Sequence, residues 1–300
     1  MKRVTLSIIT VNYNNNTGLI QTLESIKKQT FSSYEHIIID ANSTDGSKDT
    51  IKKYAKENIH LSHWISEPDK GIYDGMNKGI EHANGEYLYF LNSGDCLIEN
   101  ILQKIPFDGT EYIYGDIEMV GKGKRRIDKC PDKADIMFFL TKSLHHQACF
   151  IHHTLFQNEK YDINYKIMAD WIHSVRSIIF KECSYKHIPY TIAEYDQNGI
   201  SSDYQTSQQE RIEWLKSNLS KPFYEASIEL TELQLSVFKD IIPILNKTRK
   251  FQKRAKQIKS KKNNKYFFDI NYKKHQLNFY LSYAFVLNIF STFFTIGAIS

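Results

Sequence analysis

Two spacings of apolar residues alternate through the first 110 positions, and few architectures accommodate both. TLSIITVNY, YEHIIIDA, HLSHWISE and EYLYFLNSGD are runs of strand formers. Between them, TGLIQTLESIKKQ repeats Leu19, Leu23 and Ile26 at helical spacing, STDGSKDTIKKYAKE reads as loop then helix, and the loop EPDKGIYDG leads into a helix through Ile80. Strands separated by helices require a mostly parallel sheet covered by those helices. In such sheets ligands lie outside the carboxyl ends of the strands. All four strands end on polar groups: Asn12 and Asn14, Asp40, Glu67 and Asp69, and Asp95. The fourth strand, LYFLNSGD, delivers a lone acid, with Gly94 beside it to let a ligand approach the backbone.

Past residue 110 the pattern is mixed. EYIYGDIEM, KRRIDKC and SYKHIPYTIAEY read as strands, KIMADWIHSVRSIIF as a helix with Ile167, Trp171, Val175 and Ile178 near one face, and 204–245 as helical. No internal repeat is visible. The expected division is a catalytic-type α/β domain over 1–220, a helical basic extension over 221–275 and an apolar tail over 276–300.

Charge sharpens that division. Residues 246–275 hold twelve Lys or Arg against one acid, Asp269, a segment charge of +11 that leaves −6 for the rest of a chain whose total is +5. A basic tail on an acidic body argues against a nucleic-acid groove across the body. The final 25 residues, QLNFYLSYAFVLNIFSTFFTIGAIS, carry no charge. As a helix they would reach about 37 Å, enough for a hydrocarbon core of ~30 Å. With RKFQKRAKQIKSKK just upstream, the tail is expected to meet membrane lipid from the cytoplasmic face. The four cysteines form no CxxC pair, so neither a zinc site nor a disulfide framework is expected, and a reducing compartment fits. The N-terminus alternates apolar and polar residues without a small-residue cleavage site, so it reads as a strand and not a signal peptide.

Three acids carry the chemistry. Asp40 opens IIIDANSTDGS, a turn rich in backbone N–H groups and side-chain oxygens that suits a ribose, a base edge or a phosphate. Asp95 can hold a hard divalent cation, which takes one or two protein carboxylates plus phosphate oxygens. Asp170 starts a helix in KIMADWIH. Together with SIITVNYN, QTFSSYEHIIIDANSTDGS, EPDKGIYDGMNKGIEHANGEYLYFLNSGD, HHQACF and MADW, in that order over roughly residues 4–200, they make the chain resemble a family 2 glycosyltransferase of the GT-A fold, of the kind that builds bacterial exopolysaccharide, capsule or lipopolysaccharide.

The resemblance implies a Rossmann-like, mixed and mostly parallel α/β sheet flanked by helices. It also implies an inverting hexosyltransferase-type enzyme that moves a sugar from a nucleotide-sugar, a UDP-sugar for preference, to a lipid-linked or growing glycan. By this likeness Tyr13 lies against the base, Asp40 contacts base and ribose, Asp69 and Asn77 neighbour the nucleotide, and His146 neighbours its phosphates. Asp95 binds the divalent metal, Mg²⁺ or Mn²⁺, and Asp170 is the general base. The chain departs from the commoner pattern of paired acids at Ala41, Gly94 and Ala169. Two other classes compete: a nucleotidyltransferase acting on a sugar phosphate, against which VNYNNNTG offers no Lys or Arg and only one Gly, and a membrane-tethered sugar- or nucleotide-binding module without catalysis. Asp45 reads as turn chemistry, Asp74 as a helix cap, and GKGKRR as a solvated hairpin.

Overall fold

The alternation of the first 110 residues becomes β1 (Leu6–Asn12), α1 (Asn16–Lys27), β2 (Tyr34–Asp40), α2 (Ser47–Glu57), β3 (Leu61–Ser66), α3 (Ile72–His82) and β4 (Tyr87–Phe90). There follow β5 (Cys96–Leu97), β6 (Tyr112–Gly121), β7 (Lys124–Asp128), α4 (Ile136–Thr141), β8 (Cys149–His152), α5 (Ala169–Val175), β9 (Tyr185–Asp196) and α6 (Tyr204–Asn218). The computed structural model describes residues 4–121, 123–196 and 203–232. The basic stretch 246–275 and the apolar stretch 276–300 therefore lie outside the described residues. Among the described residues no helix is long and apolar enough to cross a membrane.

The described strands form one nine-stranded sheet in the order β3-β2-β1-β4-β8-β6-β9-β5, with β7 beside β6. β3, β2, β1 and β4 are mutually parallel; β8 turns antiparallel on β4 and β6, and β9 runs parallel to β6. β1 and β4 have strands on both edges and apolar clusters on both faces, which is why LSIITVN and YLYF are nearly unbroken apolar runs. Strand alternation sends Ile9, Val11, Ile37 and Ile39 towards α3, α5 and α6, and sends Leu6, Ile8, Tyr87 and Tyr89 to the opposite face. Each such buried side chain contributes about 1.5–3 kcal/mol. On the first face α3 approaches β1 closely: a Cβ on Gly79 would lie 2.3 Å from Ile9 Cγ2, and one on Gly75 2.8 Å from Val11 Cγ1.

Four boundaries differ from the sequence expectation. α3 starts at Ile72, inside the expected loop, because Asp74 reaches back to accept the Lys70 amide (3.0 Å) and Asp69 accepts that of Gly71 (3.0 Å). β4 stops at Phe90, because Asn92–Asp95 closes a turn (Asp95 N to Asn92 O, 3.0 Å) in which Gly94 holds φ +105°. The helix expected from Lys166 begins only at Ala169, since the amides of Lys166, Ile167 and Met168 are taken by Glu210 (2.7–3.0 Å), and it passes into a π turn at Arg176–Phe180. α6 ends at Asn218 and helical backbone resumes at 221, with Pro222 in the first turn where its missing N–H costs nothing.

Candidate active site

The first corner of the site is built where β1, β2 and β3 end. Asp40 is fully buried, and its carboxylate accepts four hydrogen bonds: Oδ1 from Asn12 Nδ2 (2.7 Å) and Ser43 Oγ (2.6 Å), Oδ2 from the Ser43 amide (3.0 Å) and Ser66 Oγ (2.7 Å). One acid thus ties three strand ends and the following turn together. The turn is fastened again by Asn14, at φ +45°, whose Oδ1 accepts the Thr44 amide (2.9 Å), and by Asp45, which accepts the amides of Asn16 (2.7 Å) and Ser47 (3.1 Å). Tyr13 projects from this corner 64% exposed, so its ring face is open to a planar partner. Asp69 lies between this corner and α3; burial raises its carboxyl above the usual range, partly offset by the Gly71 amide, with the negative charges of Asp74 and Asp40 adding to the rise.

Asn77 has a different employment. Its Nδ2 donates to Tyr161 O (2.8 Å) and its Oδ1 accepts the Tyr161 amide (3.0 Å), so it pins the loop before α5 to α3.

The second corner gathers Asp95, His146 and Asp170. Asp95 is 5% exposed; Oδ2 accepts Gln147 Nε2 (3.0 Å) and Oδ1 accepts the Asp196 amide (3.1 Å). Burial pushes its carboxyl up to about 6, against the pull of His146, Gln147 and the Asp196 amide, while the charge of Asp196 adds to the rise. His146, in a short 3-10 turn at His146–Ala148, makes two hydrogen bonds. Its Nε2 meets Asn92 Nδ2 (3.1 Å) and its Nδ1 meets Asp170 Oδ2 (2.8 Å). Asp170, in the first turn of α5, also accepts Tyr73 Oη–H (2.9 Å) and the Trp171 amide (2.8 Å) on Oδ1. Burial works to raise the Asp170 carboxyl, but the His146 hydrogen bond and charge, then Tyr73 and the Trp171 amide, outweigh it and hold it below the ordinary carboxylate range. Two acids, one pushed up and one held down, therefore flank consecutive residues, His146 and Gln147.

The donor set around Asp95 fits a hard divalent cation that shares its shell with phosphate. Among the described residues no cationic side chain hydrogen-bonds the buried Asp95 carboxylate, and the Asp196 carboxylate passes within 3.9 Å of where a Gly94 Cβ would stand. Among the described residues no group of three His, Cys, Asp or Glu converges as a self-sufficient metal cage. Such a cation would need oxygens from a ligand to complete its coordination.

Of the residues expected from sequence, Asp95, Asp170 and His146 come together, Tyr13, Asp40 and Asp69 border the first corner, and Asn77 is committed to Tyr161. Sequence reasoning missed Tyr73, Asn92, Gln147, Asp196 and Glu210. Gln147 and Tyr73 lie within HHQACF and EPDKGIYDG, each next to a His or Asp of stronger chemical character. Glu210 gives no signal, because it acts on amides more than 40 positions away.

The profile of the family described as Glycosyl transferase family 2 matches residues 7–161. An uncharacterised glycosyltransferase of Mycobacterium tuberculosis is 31% identical over 217 residues, covering 66% of this chain and 77% of that one. A PGL/p-HBAD biosynthesis glycosyltransferase of Mycobacterium bovis is 28% identical over 200 residues, covering 64% and 77%. The fold is shared with residues 1–349 of S. aureus TarS, solved in complex with UDP-GlcNAc (TM-score 0.59, 16% identity, 78% of this chain and 73% of that one). It is shared as well with a mannosyltransferase from Pyrobaculum calidifontis solved with GDP-Man and Mn²⁺ (TM-score 0.56, 14% identity, 77% and 70%).

Proposed function

Since the chain belongs to family 2 of the glycosyltransferases, we propose that it is an inverting transferase that moves a sugar from a UDP-sugar to a hydroxyl of a lipid-linked or growing glycan, with a divalent metal at Asp95 and Asp170 as general base. That it is a glycosyltransferase of glycan synthesis follows from the family and its relatives.

The observation that carries the reading is the pairing of the two acids through adjacent residues: Gln147 holds Asp95 and His146 holds Asp170, so both carboxylates serve one reacting centre. Asp170, kept below its usual range, is ionised at neutral pH and ready to accept the proton of an attacking hydroxyl. Its hydrogen bonds fix the carboxylate's orientation before substrate arrives. A single base acting on a hydroxyl that attacks in line gives inversion, whereas retaining hydrolysis would need two carboxylates about 5 Å apart and no nucleotide. Asp95, with Asp196 beside it, would hold Mg²⁺ or Mn²⁺, which supplies charge neutralisation of the departing diphosphate. Tyr13 would stack on the base and the turn shaped by Asp40 would face base and ribose. Asp69 would border the nucleotide. Asn77 would act at one remove, by holding the loop ahead of Asp170.

UDP is favoured by the TarS complexes with UDP and UDP-GlcNAc, although the GDP-Man complex shows that the fold serves other nucleotides. A lipid-borne acceptor at the cytoplasmic membrane face is favoured by the uncharged stretch 276–300 following a basic one. The test is nucleotide release by the full chain from UDP-, GDP- and dTDP-sugars, with Mg²⁺ or Mn²⁺ and with EDTA. Metal-dependent release of one nucleotide, lost in Asp95→Ala, is expected; absence of both release and calorimetric nucleotide binding across the panel overturns the reading.

A further inference from the structure

Asp170 is held on two sides by groups from distant parts of the chain, and the holding is unequal. Oδ1 accepts both the Tyr73 hydroxyl (2.9 Å) from α3 and the Trp171 amide (2.8 Å). Among the described residues Oδ2 accepts from His146 alone (2.8 Å). A carboxylate oxygen has two in-plane lone-pair directions, so Oδ1 is filled and Oδ2 keeps one open. We propose that Tyr73 and His146 are positioning residues that decide which oxygen of Asp170 takes the acceptor's proton: Tyr73, beside the Trp171 amide, occupies the second direction at Oδ1, and His146 turns Oδ2 with its open lone pair to the incoming hydroxyl.

This inference rests on the transferase reading and adds to it a division of labour that neither the family match nor the sequence contains. Tyr73 is 5% exposed, and its one hydroxyl proton is shared between Asp170 Oδ1 (2.9 Å) and the nearer Ile167 O (2.5 Å), three residues before Asp170. One phenol therefore fixes both the carboxylate and the backbone that carries it. The close packing of Gly75 and Gly79 on β1 sets where this phenol stands, because neither position accepts a Cβ without moving Val11 or Ile9. On the other side, Asn92 Nδ2 lies 3.1 Å from His146 Nε2. If that amide donates, Nε2 is the accepting nitrogen, which leaves Nδ1–H to donate to Oδ2. Asn92 belongs to the turn that carries Asp95, so the aim of the base is referred to the strand end that carries the other acid.

In the step itself, the acceptor oxygen forms its bond to the anomeric carbon as the bond from that carbon to the diphosphate oxygen breaks. The hydroxyl proton passes to Oδ2, and the nucleoside diphosphate leaves with the electron pair. Among the described residues the titratable groups that act on Asp170 are Tyr73 from α3, His146 from the 3-10 turn, Tyr161 from the loop ahead of α5, Cys149 from β8, and His173 one turn further along α5. Tyr161 and Cys149 make no hydrogen bond to the carboxylate among the described contacts, so the two proposed residues carry the test.

The experiment compares wild type, Tyr73→Phe, His146→Ala and His146→Asn in the full chain, reading kcat, donor KM, donor affinity by calorimetry and the pH profile of kcat. Tyr73→Phe and His146→Ala are expected to lower kcat roughly 10- to 100-fold with donor affinity preserved, and to move the acid limb of the profile upward, since both donors favour the ionised carboxyl. His146→Asn, whose amide nitrogen can overlay Nδ1, is expected to recover most of the loss. Wild-type kcat and an unmoved acid limb in both Tyr73→Phe and His146→Ala overturn the proposal, as does a change confined to KM. An inactive wild type that binds no nucleotide sinks the transferase reading itself and is distinguishable from an active wild type with indifferent variants.

Discussion

Asp95 and Asp170 show how environment divides one residue type: burial pushes one carboxyl up, and hydrogen bonds hold the other down. Asp170→Asn keeps the size of the side chain but replaces an acceptor oxygen with an amide donor, and turnover should fall by about 10²–10⁴-fold while calorimetry still records donor binding. Asp95 gives a prediction of the opposite flavour. Its carboxyl titrates near 6 in the folded chain, above its ordinary 3.8, so ionising it costs folding free energy above that pH. Asp95→Asn should therefore be inactive yet more stable than wild type by about 1–3 kcal/mol at pH 7–8. The advantage should shrink as pH falls through 6 and be gone below 4, as thermal melts across that range would record. Metal-dependent nucleotide binding by wild type should weaken over the same descent, because a protonated carboxyl cannot ligate. These two acids, with Asp40, were legible in the sequence because each ends or begins an element in a recognisable run. Tyr73 and Gln147 were not, since a tyrosine in an amphipathic helix and a glutamine before a strand look like packing until their hydroxyl and amide are seen on the acids.

At the scale of elements, the most exacting contact is the grip of α6 on the approach to α5. Glu210 takes three consecutive amides, Lys166, Ile167 and Met168, that the helix cannot satisfy for itself. Glu210→Ala should cost about 2–3 kcal/mol in chemical denaturation and lower kcat with little change in donor affinity, whereas Glu210→Gln should retain part of both. The strands and first helices could be read from periodicity, since their apolar residues recur at 2 and 3.6. The late start of α5 could not, because it is imposed from another helix. The same holds for the early start of α3, where Asp69 and Asp74 both act on the turn at Gly71.

For the described unit as a whole, two fully buried imidazoles set the response to acid. Burial brings His36, between Thr10 (3.0 Å) and Tyr54 (3.1 Å), down to about 3, and brings His173, stacked on Phe156, down to about 4. Both are neutral when folded and titrate near 6.5 when unfolded, so the unfolded chain binds more protons between those values. Stability should be complete above pH 6.5 and fall steadily towards pH 4. A melting temperature that stays level from pH 7 to 5 would contradict this; His36→Gln should flatten part of the decline. The parallel half of the sheet and the placing of ligands at its strand ends were available from the chain's pattern. The antiparallel return through β8 and the parallel pairing of β6 with β9 were not, because they join segments more than 60 positions apart. That return brings His146 and Gln147 to the two acids as neighbours in sequence, and a single peptide link between them has a kinetic meaning. Donor binding at Asp95 is expected to shift Gln147 and, through that link, His146, so the enzyme should follow a compulsory order, donor first and acceptor second, with product-inhibition patterns to match.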